Sequence, residues 1–152
     1  MSNVRAHMSI PRNLVVALLA GFALAWLTVF VAGWLAAIQL PHSFFAAVKG
    51  HPDIGYLVHT TLLVQVSMAL LALLAGWLLF RLLNQASLPL VLACAAPWFA
   101  FCTWESVRYF AEAELPAEVK LRLLLDWRAL PGLLSVPVGL WLASKLPTNN
   151  AP

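Results

Sequence analysis

Residues 90–110 read LVLACAAPWFAFCTWESVRYF, an apolar run long enough to cross a bilayer that carries one acid, Glu105. Read as a helix, it puts Cys94, Trp98, Cys102, Glu105 and Tyr109 on one face, at spacings of three and four residues. Arg108 follows Glu105 by three positions, within reach of an ion pair. Pro97 removes the hydrogen bond to the carbonyl of Ala93, so a kink is expected there. A carboxylate inside a hydrophobic helix costs free energy unless it turns away from lipid. The expectation is therefore that this face turns inward and that Glu105 pairs with Arg108.

The rest of the chain agrees with a membrane protein. It has 152 residues, 62% hydrophobic and only 10% charged, with a mean hydropathy of +0.87. Soluble domains average about 45–50% apolar and about 25% charged, so a water-exposed fold cannot absorb this composition. A net charge of +3 on scattered basic residues gives no footprint for nucleic acid. The two cysteines, Cys94 and Cys102, both lie in this same run, form no CxxC and read as packing residues.

Three further apolar runs flank this one. The first spans residues 14–40, far longer than a signal-peptide core, after a polar arm over 1–13. Pro41 is expected to end it. The second spans 56–80, the third is 90–110, and a short fourth covers 130–146. These define one membrane domain over residues 1–152, an all-α bundle of four transmembrane helices. The short turn around Arg81, Asn84, Gln85 and Ser87 is expected to make the second and third spans antiparallel neighbours. Between the third and fourth spans, Glu118, Arg122 and Asp126 form an ion-pair line opposite Val119, Leu123 and Trp127. That pattern predicts a helix lying in the membrane interface.

Small residues mark helix seams. Ala17, Gly21 and Ala25 repeat every four residues, as do Ala72 with Gly76 and Ser135 with Gly139 and Ala143. Gln65 falls near the middle of the second span and should face other helices. Of the nine basic residues, Arg5, Arg12, Arg81 and Lys145 lie on the side of the two termini with no acid beside them. All the acids lie on the other side. The Lys/Arg count, four against five, does not decide the orientation, but these four are unneutralised, so both termini are expected in the cytoplasm; the expected location is a bacterial inner membrane.

The sequence carries few residues in patterns that chemistry needs. His42, His51, Asp53 and His59 are metal-ligand types near one loop, but their spacing matches no ligand motif, and no metal or cofactor is expected. No GxSxG and no GxxxxGK[ST] occurs. The polar intramembrane candidates are Glu105, Arg108, Gln65, Cys94 and Cys102. The expected function is a non-enzymatic accessory subunit of a larger membrane complex, with membrane lipids and a larger membrane protein, or further copies of the chain, as partners. The alternatives are an oligomeric transporter or channel with Glu105 and Gln65 in the path, or a quinone- or redox-linked membrane protein.

Overall fold

The computed structural model describes residues 3–113, 116–124 and 130–147, and these form helices joined by short connections, with no strand. The order is α1 (Asn3–Ala36), α2 (His42–Ala47), α3 (Pro52–Leu57), a π-helical stretch (Val58–Gln65) that runs into α4 (Val66–Leu82), α5 (Leu88–Glu112), α6 (Ala117–Leu124) and α7 (Leu130–Lys145). Three segments are long and apolar enough to cross a membrane: Arg12–Ala36, Val58–Leu82 and Leu88–Glu112. The chain is a small helical membrane protein.

Two boundaries differ from the sequence reading. The polar arm is not a separate segment, because α1 already begins at Asn3. Once a helix is nucleated, polar residues extend it at little cost. At its other end α1 stops at Ala36, ahead of Pro41, which instead caps the short α2.

The long helices pack as two parallel pairs. Gly21 of α1 lies against the backbone of Cys94 in α5, and Phe22 to Val29 run beside Pro97 to Trp104. In α7, Gly139 lies against the backbone of Ala69 in α4, with the position of a β-carbon 2.9 Å from Ala72 Cβ. Gly76 of α4 faces Leu140 and Ala143 in turn. At Gly21 and Gly139 a side chain would strike a neighbouring backbone, so only glycine allows the approach. Ala17, Ala25, Ala72, Ser135 and Ala143 are buried along the same seams.

Sequence neighbours α4 and α5 are not spatial neighbours. Each packs on α1 and α7, and they face each other across the diagonal. This corrects the side-by-side arrangement read from the short turn. The turn itself shows how it happens. Asn84 adopts a left-handed φ of 48°, and the N–H of Gln85 returns to the carbonyl of Phe80 at 3.1 Å, a Schellman stop. Ser87 is then extended. Five residues of turn reach up to about 16 Å, and the diagonal of a bundle with axes about 10 Å apart is about 14 Å. A short connection therefore permits either placement, and the glycine seams select the diagonal.

A proline in α7 is answered by a tryptophan in α5. Pro137 has no N–H, so the carbonyl of Leu133 loses its helical donor. Trp98 Nε1 donates to that oxygen at 3.1 Å. The bond ties the two pairs together across the core formed by Trp98, Leu140, Val136 and Phe80. At the end of the bundle carrying the Asn84 turn, Asn13 Nδ2 donates to Gln85 Oε1 at 3.3 Å. Arg81 covers the ring of Trp77, and Lys145 that of Trp141, at 5.3 and 5.6 Å from the centroids.

Candidate functional site

The face defined by Cys94, Trp98, Cys102, Glu105 and Tyr109 is not uniform along α5. Cys94 and Trp98 are buried, Cys102 is half-buried, and every residue from Thr103 to Tyr109 is exposed. The helix keeps its period, but its cover ends. Trp98 already reaches Leu133, close to the described start of α7 at Leu130, so α5 continues beyond that partner. Toward its far end α1 turns to the π-helical stretch, where His59 Nε2 lies 3.1 Å from the carbonyl of Ile38.

Glu105 therefore points out of the bundle, and Arg108 does not pair with it. Arg108 Nε donates to Glu112 Oε1 at 2.9 Å. The expectation of an inward Glu105–Arg108 pair is corrected on both counts. Arg108 has an acid three residues behind and another four ahead. The forward choice lets the guanidinium reach toward the helix end and water rather than deeper into hydrocarbon. Among the described residues Glu105 has no ion-pair partner. Glu112 is the residue that the sequence reading missed, and its signal was the simple spacing of four from Arg108.

Two depressions meet along this part of α5. One, of about 370 Å³, lies between α1 and α5 and is lined by Phe22, Ala25, Trp26, Val29, Pro97, Ala100, Phe101 and Trp104. The other, of about 520 Å³, is lined by Trp104, Val107, Arg108, Ala111 and Glu112. Both are open to the outside and share Trp104 as a lining residue; α1 walls only the first. Trp26 and Trp104, on the two walls of the α1–α5 depression, are 73% and 65% exposed, with the Trp26 ring stacked on Phe30. No protein-family model, curated protein or solved structure matches this chain.

The other candidates are dispersed. Gln65 sits at the end of the π-helical stretch, with its amide nitrogen 3.6 Å from where a β-carbon of Gly132 would lie. Its Oε1 is buried and has no hydrogen-bond partner among the described residues. Cys94 is buried beside Gly21 and Cys102 lies further along the same helix, and both are free thiols. His42 and His59 line a crevice of about 650 Å³ with Gln39 and Phe45, whereas His51 is exposed outside it. The side chain of Asp53 lies outside the described ones, as do Arg122, Leu123, Asp126 and Trp127 of the expected ion-pair line and its apolar edge. Among the described residues no three His, Cys, Asp or Glu side chains cluster to hold a metal. Lys120 of α6 donates to the carbonyl of Phe110 at 2.6 Å, which closes the end of α5.

Proposed function

We propose that this chain is a non-enzymatic accessory subunit of a larger complex in a bacterial inner membrane. The observation that carries this reading is the outer half of α5. A helix long and apolar enough to span the bilayer keeps Thr103–Tyr109 exposed on all sides, including an unpaired carboxylate. Charged groups at such positions normally face a protein interior. A partner chain supplies that interior.

In this reading α7 is a fourth span. Sixteen residues cover about 24 Å, a little short of the hydrocarbon thickness. Its parallel docking on α4 supports the assignment. The short α6 lies in the interface, and both termini are cytoplasmic. Arg81 and Lys145, each resting on a tryptophan at the same end, are the anchors that such an orientation uses. Gln65 favours a second reading. Its buried, unbonded oxygen in a π-helical stretch suits a polar path through an oligomeric transporter.

Purification of the tagged chain from its native membranes, followed by native mass spectrometry, separates the two. A fixed-stoichiometry hetero-complex supports the subunit, a homo-oligomer supports the transporter, and a bare monomer removes both.

A further inference from the structure

We infer that the α1–α5 groove receives one transmembrane helix of a partner, and that this helix carries a lysine or arginine level with Glu105. The inference rests on the subunit reading and names the chemistry of the partner.

Three observations converge. The α1–α5 groove and the second depression follow one another along the same face of α5 from Pro97 to Glu112, a length of about 22 Å at 1.5 Å per residue. The groove floor is small, Ala25, Pro97 and Ala100, and its walls are Phe22, Phe101 and Trp104. That shape lets a helix backbone approach closely while large side chains close over it. Second, Trp26 lies two residues from the middle of the span Arg12–Ala36 and is 73% exposed. Membrane tryptophans concentrate at the headgroup level, where water and esters accept the indole N–H. An outward indole within about 3 Å of the midpoint has lipid tails around it and no such acceptor. A helix in the groove supplies both packing and an acceptor.

The third observation is charge. Glu105 lines neither depression, but with about 100° between successive residues it lies about 20° from Glu112 and about 40° from Phe101 around α5, beside residues that do. Arg108 and Glu112 line the second depression with Glu105 beside them, and Arg108 is already bonded to Glu112. One negative charge is left over. A second copy of this chain is a poor occupant, because a two-fold contact along α5 brings like residues together and sets Glu105 against Glu105. A lipid tail fills the apolar part but leaves the carboxylate unpaired. A basic residue on a partner helix satisfies it, and in low dielectric the pairing discriminates strongly.

The full chain in lipid nanodiscs, labelled at its N-terminus, tests this by energy transfer to synthetic Leu/Ala transmembrane peptides. One peptide carries a single lysine level with Glu105, one carries leucine there, and one carries the lysine at the opposite depth. The expected result is at least tenfold tighter association of the first than of the other two. Glu105→Gln should abolish the difference, and Trp26→Ala should weaken all three peptides. Glu105→Lys should reverse the preference toward a glutamate peptide, which keeps the test decisive if the neutral variant folds poorly. Equal binding of the lysine and leucine peptides overturns the inference. So does self-association through this groove, or the absence of peptide binding altogether. If a native hetero-complex forms and Glu105→Gln leaves it intact, the inference fails while the subunit reading stands.

Discussion

The seam between α4 and α7 and the C-terminal half of α5 are built from similar apolar sequence, yet they end in opposite states. In the seam, Gly139 meets the backbone of Ala69 and Gly76 meets Leu140 and Ala143, so the helices touch where side chains are smallest. In α5 beyond Cys102, bulky residues, Trp104, Val107 and Tyr109, stand exposed around the helix beside Glu105. Burial in this protein follows backbone proximity rather than hydrophobicity. Between apolar helices in lipid, hydrophobicity supplies no preference for protein over acyl chain, and close packing decides. The seam is a finished contact. From Thr103 to Tyr109 the C-terminal half of α5 has nothing seated on it among the described residues, and in the proposed reading a partner helix supplies that second side.

Substitutions should separate the two regions. Gly139→Leu is the most damaging, because the side chain has only the Ala69 backbone and Ala72 to displace. Overpacking usually costs about 1–3 kcal/mol, and a clash with backbone belongs at or above the top of that range. Thermal unfolding in detergent should show loss of the cooperative transition. A Gly139→Leu protein that melts like the parent would mean that α7 is not seated on α4.

Trp98→Phe comes next. It keeps most of the packing but removes the donor to the carbonyl of Leu133, at about 1 kcal/mol. Pro137→Ala restores the helical donor, so the double variant should be more stable than Trp98→Phe alone. A Trp98→Phe loss that Pro137→Ala does not reduce would show that the indole acts through packing only. Glu105→Gln and Arg108→Gln are the smallest. Both residues are exposed, and an i,i+4 surface pair contributes about 0.3–0.5 kcal/mol, so melting should shift little in either variant. A large destabilisation by Glu105→Gln would restore an inward structural role and erase the contrast.

Hydropathy made the three long helices legible, and their small-residue spacing located Gly21, Gly76 and Gly139. What stayed hidden depends on neighbours. The period of α5 shows which face Glu105 shares with Trp98, but not that α7 begins at about the level of Trp98. The length of the Asn84 turn bounds a distance and leaves adjacent and diagonal placements equally open. Arg108 has two acids within reach, and only the local direction of water selects Glu112. The π-helical stretch Val58–Gln65 has no residue signature, because it is a change of backbone winding rather than of composition.

The proline-bearing helix α7 also sets an order of events during synthesis. Both glycine seams join helices separated by another long helix, so neither can close as its first member enters the membrane. Until α7 has left the ribosome and the translocation channel, α4 holds Ala72 and Gly76 open to lipid with nothing seated on them. A nascent chain stalled before Leu130 therefore displays half of an unfinished interface, the form that membrane chaperones and proteases are placed to recognise.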